Sequence, residues 1–388
     1  MLLLNIGHAI DHMFLLIFAT AVTTIALEFG LTRWEDLMPY NTAAFFFFGV
    51  VSLPAGKLGD QWGRRSMMLL FFFGMGVSAI LVALTQSPIQ LALALALLGS
   101  FAAIYHPVGI PMLVQGAARP GWTIGVNGFA GNLGVACSAI VTGFMVKYFG
   151  WRMAFVLPGI LSIVCGIAFA RAARAESAPP SRRAATQLEV PAGLLARVML
   201  IMTLASTGAT LLFNFSTNAN YELLHERFAA VSRDPADLGL LLAMIYAIAS
   251  LAQLVVGKLI DRVALKPLYL TVLALQVAFL AMAVDAQGWS HWALQTLFMA
   301  SIFGAIPFTD ALIVRYVDDR MRSRVAGVRF AVSLGASSVA VWLLGPMVKQ
   351  AGFGVLLWTM VAIALAMIPV IVWLPKPPQT AAGVRLPT

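Results

Sequence analysis

Apolar residues occur along this chain in blocks of about 20, which short polar stretches separate from one end to the other. A helix of that length rises about 30 Å at 1.5 Å per residue, the thickness of the hydrocarbon core of a bilayer. Turn sequences such as Ser87-Pro88 and Asp234-Pro235 lie at the ends of blocks. We therefore predict membrane helices at about 2–28, 37–57, 66–86, 89–113, 122–147, 151–172, 194–217, 236–258, 266–285, 291–315, 325–350 and 353–374.

One stretch near the middle breaks the apolar pattern. Residues 173–193 are rich in alanine, proline, serine and arginine, which is typical of a flexible linker. The pattern predicts an all-α integral membrane protein with twelve transmembrane helices in two pseudo-symmetric six-helix bundles. The expected division is an N-terminal bundle at 1–172, a cytoplasmic linker at 173–193, a C-terminal bundle at 194–374 and a cytoplasmic tail at 375–388.

The two predicted halves share short sequence repeats. The run from Gly56 to Asp60, Gly-Lys-Leu-Gly-Asp, resembles Gly-Lys-Leu-Ile-Asp at 257–261, an offset of 201 residues. Leu133-Gly134 and Leu334-Gly335 share that offset. A duplicated helix bundle explains both matches, and repeated halves are the usual build of secondary transporters.

Composition excludes a soluble protein that carries a single membrane anchor. Hydrophobic residues make up 61% of the 388-residue chain, charged residues only 11%, and the mean hydropathy is +0.90. Soluble domains carry about 25% charged residues. Cys137 and Cys165 are too few for a disulfide framework and lie in apolar runs, so we expect both to be small core residues.

The net charge of +9 is explained by membrane topology rather than by nucleic acid binding. Eighteen of the 25 lysines and arginines fall on one predicted face and six on the other. The positive-inside rule then places both termini in the cytoplasm. The chain starts apolar at Leu2 without a basic region or cleavage site, so we expect a retained first helix and not a signal peptide.

A glycine-rich and basic motif lies between the second and third predicted helices. The segment Gly-Lys-Leu-Gly-Asp-Gln-Trp-Gly-Arg-Arg at 56–65 resembles the loop motif of the major facilitator superfamily, with Gln61 in place of its first basic residue. The resemblance implies a latch that holds the two halves together in one state and releases them in another. Its predicted residues are Gly56, Asp60, Gly63, Arg64 and Arg65, with a degraded second copy at Gly257, Asp261 and Arg262.

Two further segments are similar to the fosmidomycin-resistance-like branch of that superfamily. Residues 7–12, Gly-His-Ala-Ile-Asp-His, resemble its His-x-x-Asn-Asp element, and Tyr105-His106-Pro107 resembles its Phe-His-Pro-Glu element. Asp11 and His12 stand where that branch has Asn and Asp, and Val108 stands where it has Glu. The substrate and the coupling chemistry of the branch therefore do not transfer directly to this chain.

Polar and ionisable side chains inside the predicted helices are the candidate functional residues. A charged group in a membrane helix costs about 2.5–3.5 kcal/mol on insertion scales, so each one calls for a functional explanation. His8 and His106 lie at similar depths, about 9 and 10 Å from the cytoplasmic side. The predicted substrate and proton pathway comprises His8, Asp11, His12, Tyr105, His106, Asn127, Asn132, Asn214, Asp310 and Arg329, with Asn218, Tyr246, Gln253 and Trp342 as further cavity candidates and with Glu222 and His225 in a solvated loop.

The residue types allow several chemical interpretations. Asp11 is the candidate proton-coupling carboxylate, and the neighbouring histidines can relay protons or bind an anionic solute. The alternative is that a histidine only neutralises Asp11. A metal site at His8, Asp11 and His12 has ligand-like spacing, but no thiolate or second carboxylate cluster supports it, so we expect no metal. Asp310 and Arg329 form either a structural or gating ion pair near the inner mouth or a solvated pair.

The function that these features favour is secondary active transport of a small organic solute by alternating access, most simply as proton-coupled efflux. Proton-coupled uptake of an organic anion and a non-transporting membrane sensor or scaffold are the alternatives. No phosphate-binding loop and no Gly-x-Ser-x-Gly element occur, so we expect neither an ATP-driven pump nor another enzyme, and no cofactor. The expected partners are a small-molecule substrate, protons and the lipid of a bacterial inner membrane, with the protein a monomer.

Overall fold

The computed structural model describes residues 1–115, 117–118, 120–173, 192–316 and 322–375, and regular structure in these ranges is helical throughout. The helices are α1 (Leu2–Glu28), α2 (Thr42–Trp62), α3 (Arg64–Ala83), α4 (Pro88–Ala102), α5 (Ile110–Val114), α6 (Pro120–Phe149), α7 (Trp151–Ala172), α8 (Ala192–Arg227), α9 (Pro235–Ile260), α10 (Leu265–Ala283), α11 (Gly288–Tyr316) and α12 (Arg322–Val372).

Eleven segments of the described chain are long and apolar enough to cross a membrane, with α4 and α5 forming one of them. The segment of α12 contains two spans, because the backbone leaves helical geometry at Gly352, where φ is 74°. This division gives six spans on each side of the predicted linker. The predicted all-α membrane fold with twelve spans is confirmed.

Helix packing repeats between the halves. In the first half α1 packs on α6, α2 on α4, and α3 on α7; in the second half α8 packs on α12, α9 on α11, and α10 on α12. The halves meet where α6 packs along α9 and where α2 packs along α12. We call the face of the bundle at the α2–α3 turn, marked by Gly63, the motif face, and the face at Gly30 and Gly150 the opposite face.

The second helix is displaced from its predicted position. We expected residues 37–57, but α2 spans Thr42–Trp62, because two 3₁₀ turns at Trp34–Asp36 and Met38–Asn41 precede it. Gly63 ends α2 with φ 83°, a conformation that favours glycine. Gly56 and Asp60 of the predicted loop motif therefore lie inside the helix, and only Gly63 forms the turn.

The seventh predicted helix is longer than its sequence indicated. We expected it to end near residue 217 with Glu222 and His225 in a solvated loop, but α8 continues to Arg227. The Glu222 side chain is only 3% exposed and accepts a 2.6 Å hydrogen bond from Thr23 Oγ1 of α1. The loop expectation for Glu222 was wrong because interior partners satisfy its polar atoms. His225, with 41% of its side chain exposed, is partly solvated as expected.

Several sequence expectations fall outside the described residues. Most of the predicted linker, 173–193, and of the tail, 375–388, belongs to that part of the chain. Asp310 and Arg329 lie in α11 and α12, but their side chains are outside the described set. Cys165 is buried as expected, whereas Cys137 is exposed.

Candidate functional site

Two glycines of α6 allow α1 to approach closely enough to form the site. A Cβ atom at Gly134 would lie 2.1 Å from the carbonyl oxygen of Ala9, and one at Gly131 would lie 2.7 Å from His8 Cε1. At Gly134, α1 and α6 touch backbone to backbone, and only a residue without a side chain fits there. At Gly131 the close neighbour is the His8 ring. This contact places His8 against the N-terminal part of α6.

The His8 ring is held in one orientation. Its Nδ1 lies 2.7 Å from the backbone oxygen of Asn127, and the ring stacks on Tyr105 with centroids 4.8 Å apart and planes 10° apart. A carbonyl oxygen only accepts, so Nδ1 donates, and in the neutral ring Nε2 carries the lone pair. His8 is 5% exposed, and its Nε2 has no hydrogen-bond partner.

The Asn127 amide and the Tyr105 hydroxyl connect the helices on which the site residues lie. Asn127 Nδ2 donates to Asn5 Oδ1 at 2.9 Å and to the Tyr105 hydroxyl at 2.7 Å. The Tyr105 hydroxyl in turn donates to the backbone oxygen of Leu4 at 2.7 Å. These bonds join α1, α6 and the turn after α4, which gives the predicted pathway residues Tyr105 and Asn127 a positioning role.

His106 lies in a π-helical turn, Tyr105–Gly109, where we expected a continuous helix over 89–113. Pro107 has no N–H group, which explains why regular hydrogen bonding fails here, and such turns are frequent at functional sites. Gly56 of α2 packs on Pro107, where a Cβ would lie 3.4 Å from the Pro107 side chain. A glycine of the motif thus supports the turn that carries His106.

Asp11 and His106 form the most buried charged pair of the site. His106 Nε2 lies 3.5 Å from Asp11 Oδ2, and the two side chains are 21% and 0% exposed. Neither carboxylate oxygen of Asp11 has a hydrogen-bond partner, so the contact with His106 is electrostatic. An ionised carboxylate in apolar surroundings is costly unless a cation pairs with it, and His106 is placed to be that cation.

Three imidazole rings converge beside this pair. The centroid of the His8 ring is 4.6 Å from that of His12 and 5.1 Å from that of His106, and the last two are 5.8 Å apart. One ring nitrogen of each histidine lies within 4.8 Å of those of the other two. His8 is buried, whereas His12 and His106 are partly exposed, so the cluster reaches from the packed interior to an accessible surface.

The second half contributes neutral polar groups. Asn214 of α8 donates to Ser337 Oγ at 3.0 Å, and so lies within that half. Asn132 of α6 donates to Gln253 Oε1 of α9, which joins the two halves. Among the predicted pathway residues with described side chains, the titratable ones therefore belong to the first half.

The predicted latch residues lie at the motif face. Arg64 Nη1 donates to Gln115 Oε1 at 3.1 Å, and Arg65 donates to the backbone oxygens of Ala170 and Ala173 at 2.6 and 2.7 Å. Asp60 is exposed, and so are Asp261 and Arg262 in the second copy. A Cβ at Gly257 would meet no atom within 4 Å, so this glycine is not required by packing.

Charged contacts join the two halves on the opposite face. Lys147 Nζ at the end of α6 lies 2.6 Å from Asp234 Oδ2 before α9, and Lys349 of α12 pairs with Asp36. Gly345 packs under the same loop, where a Cβ would lie 2.3 Å from the carbonyl oxygen of Glu35. On the opposite face the two halves are therefore joined by ion pairs and by tight backbone packing.

The Lys147–Asp234 contact gives a prediction that separates charge from capping. Asp234 Oδ1 also caps α9, because it accepts from the backbone N–H of Ala236 at 2.9 Å and of Asp237 at 3.2 Å. Asparagine keeps the cap but removes the charge. We expect Asp234→Asn and Lys147→Gln to lower the melting temperature in detergent equally, and Asp234→Ala to lower it further. A larger loss for Asn than for Ala would contradict this assignment.

The same pair predicts a pH dependence. The hydrogen bond from Lys147 holds the pKa of the Asp234 carboxyl below its usual value. The stabilisation of the folded protein by this ion pair is therefore complete above the ordinary carboxyl pKa of about 3.9. It is lost as the pH falls through the lower pKa of Asp234 in the folded protein. The melting-temperature difference between the wild type and Asp234→Asn should stay constant from pH 6 to 8 and shrink only in acid.

Sequence reasoning missed three features of the site. It did not predict the π turn at Tyr105–Gly109, the burial of Glu222, or the contact between Asn5 and Asn127. Pro107 signalled a break, but a proline alone does not define the geometry that follows. Glu222 and Asn5 are polar residues near predicted helix ends, where solvation is the default expectation.

Comparison with protein families gives a match to both halves of the chain. A model described as Major Facilitator Superfamily matches residues 4–229 and, again, residues 198–386. The double match agrees with the repeated helix packing. It covers nearly the whole of the described chain.

Similar proteins include bacterial multidrug resistance proteins. The protein is 23% identical over 302 residues to multidrug resistance protein MdtG of Citrobacter koseri, a match that covers 76% of this chain and 73% of that relative. MdtG of Proteus mirabilis is 23% identical over 308 residues, with 77% and 76% covered.

Among solved structures, the fold is similar to a bacterial homologue of the human lysosomal transporter Spinster. In its inward-facing and occupied conformation that structure aligns with a TM-score of 0.74 at 15% identity, covering 96% of this chain and 93% of the other. Its unoccupied form gives a TM-score of 0.72 at 14% identity. At these identities the likeness extends to the fold alone.

Proposed function

This chain belongs to the Major Facilitator Superfamily, and from that premise we propose that it exports small organic solutes in exchange for protons. Membership makes it a multi-pass membrane transporter of small molecules and not an enzyme. The observation that carries the coupling proposal is the Asp11 carboxylate, which has no exposed side-chain surface and lies 3.5 Å from His106 Nε2.

The geometry supports a specific route for the proton. Because His106 is partly exposed and Asp11 is not, a proton from the aqueous side reaches His106 before Asp11. The pair holds one proton in two arrangements, on the imidazole with the carboxylate ionised or on the carboxylate with the imidazole neutral. Rocking of the halves then changes the side from which His106 meets water.

Export is the direction that the similar proteins favour. The relatives from Citrobacter koseri and Proteus mirabilis are multidrug resistance proteins, which supports solutes of mixed chemical type as cargo here. We further propose a position near the fosmidomycin-resistance-like branch, on the basis of Tyr105-His106-Pro107 and its contact with α1. The neutral polar side chains of Asn214 and Gln253 in the second half support binding of a solute by hydrogen bonds.

The distribution of basic residues supports the proposed orientation. With the motif face in the cytoplasm of a bacterial inner membrane, both termini are cytoplasmic and eighteen of the 25 lysines and arginines lie inside. The ion pairs of the opposite face then close the outer side. The chain carries both halves of the pathway, so we propose that one monomer is the transport unit.

Accumulation of labelled solutes in proteoliposomes tests this function. The panel contains organic cations, organic anions and antibiotics, and the vesicle interior is made acidic relative to the medium. We expect at least one solute to accumulate in acidic vesicles and not in vesicles without a gradient, whatever the orientation of the protein. Accumulation only with the opposite gradient would replace export by proton-coupled uptake. Equilibration that ignores the gradient would contradict proton coupling.

A further inference from the structure

The three histidines of the site have the arrangement of metal ligands. From the sequence, a metal site at His8, Asp11 and His12 was disfavoured because no thiolate or second carboxylate cluster supports it. The fold adds His106, which lies 98 positions after His8 in the chain, and brings one ring nitrogen of each histidine within 4.8 Å of the others. In a tetrahedral complex with bonds of 2.0–2.1 Å, nitrogen ligands are about 3.4 Å apart.

We propose that His8, His12 and His106 bind one divalent transition-metal ion, such as Zn²⁺. Imidazole nitrogen is a preferred ligand of this class of ion, whereas Mg²⁺ and Ca²⁺ prefer oxygen. Closing the cluster around the ion requires shifts of about 1 Å in the ligand nitrogens relative to His8. Rotation of the partly exposed His12 and His106 rings provides these shifts. The inference concerns binding and does not rest on the proposed proton coupling.

His8 is preorganised as a ligand. Metal-bound histidines almost always donate their second ring N–H to a carbonyl or carboxylate oxygen, which fixes the tautomer. His8 Nδ1 makes this contact with the Asn127 oxygen at 2.7 Å, so the lone pair is on Nε2. That nitrogen is buried and has no hydrogen-bond partner. A buried acceptor without a partner, on a ring that belongs to a cluster of three imidazoles, is suited to a ligand position.

Asp11 supplies the outer-shell group. Its Oδ2 lies 3.5 Å from His106 Nε2, as in the carboxylate–histidine–metal arrangement in which the carboxylate orients the ring and increases its basicity. Asp11 also places a negative charge next to an ion that three neutral imidazoles do not neutralise.

Three protein ligands leave the fourth tetrahedral position open. Structural zinc sites use four protein ligands, whereas sites that act on a ligand keep one position for water or another molecule. His12 and His106 are partly exposed, so their side of the cluster is the accessible route for an ion. The site is therefore suited to a metal ion whose fourth ligand is a water molecule or a donor atom of a solute.

Metal titration of the purified full-length protein tests this site. The protein is prepared in detergent without a polyhistidine tag, and Zn²⁺ binding is measured by calorimetry and Co²⁺ binding by its visible absorption. We expect one ion per chain and the Co²⁺ bands of a four-coordinate site. His8→Ala, His12→Ala and His106→Ala should each weaken binding about 100-fold or more, since the loss of an outer-shell partner alone costs 10- to 100-fold.

The chain provides a matched control among its five histidines. His225 lies at the far end of α8, and 41% of its side chain is exposed, so His225→Ala should bind Zn²⁺ as the wild type does. His12→Gln keeps a polar side chain at the accessible edge, and its elution as a folded monomer separates ligand loss from misfolding. No binding by the wild type, or equal binding by the wild type and the three cluster variants, would overturn the proposal. Either result leaves the transport assay of the proposed function unaffected.

Discussion

Asp11→Asn is expected to abolish proton-driven accumulation of solute, with a loss of about 100-fold or more. Asparagine has nearly the shape of aspartate but neither ionises nor exchanges a proton, and proton-transfer groups typically contribute 10²–10⁴-fold. The substitution also removes the buried charge opposite His106, so the protein should remain folded. The measurement is gradient-driven uptake into proteoliposomes alongside solute exchange at equal pH on both sides.

The two assays separate coupling from binding. If Asp11 carries the coupling proton, exchange at equal pH continues in Asp11→Asn while accumulation against a gradient stops. Asp285→Asn, at an exposed position between α10 and α11, is the control for removal of one acid and should behave as the wild type. Full accumulation by Asp11→Asn would show that Asp11 is only a neutralised structural residue, which is the alternative interpretation from the sequence.

Gly134→Ala is expected to destabilise the first half strongly. The added Cβ would lie 2.1 Å from the Ala9 carbonyl oxygen and 2.7 Å from Ala9 Cα, and neither backbone atom can rotate away as a side chain would. Overpacking a core typically costs about 1–3 kcal/mol and occasionally more. Because both atoms belong to helix backbone, we expect a cost at the upper end, about 3 kcal/mol. Thermal unfolding in detergent measures the loss.

The internal repeat supplies the control for this substitution. Gly335 is the counterpart of Gly134 at the offset of 201 residues, and a Cβ there would meet no atom within 4 Å. Alanine has the higher helix propensity by about 1 kcal/mol. Gly335→Ala should therefore leave the melting temperature unchanged or raise it slightly. Equal losses in both variants would contradict the packing of α1 on α6.

Sequence periodicity was sufficient for the fold, because bilayer thickness restricts the chain to helices of about 20 residues. The positions of the helix ends predicted from the sequence were less accurate. Pro39 and Asn41 lie in a 3₁₀ turn, Met38–Asn41, and α2 begins only after it, at Thr42. At the other helix, α8 continues past Glu222, whose side chain is hydrogen-bonded to Thr23 in the interior. These differences depend on tertiary contacts, about which the hydropathy pattern carries no information.

Part of the site also followed from sequence. Similar depths put His8 and His106 on the same predicted pathway, and the structure places their ring centroids 5.1 Å apart. Their role in transport stays a prediction. The sequence did not predict that His106 joins His8 and His12 in one cluster. This contact depends on how the π turn orients the His106 ring. The tautomer of His8 likewise depends on the Asn127 backbone oxygen.

Proton release from inside-out membrane vesicles tests the central claim most directly. Respiration acidifies the vesicle interior, a fluorescent probe reports the pH difference, and the solute identified in the accumulation assay is then added. We expect the wild type to dissipate the pH difference when the solute is added and Asp11→Asn to leave it unchanged. Equal dissipation in Asp11→Asn would contradict the claim that Asp11 couples solute export to proton entry.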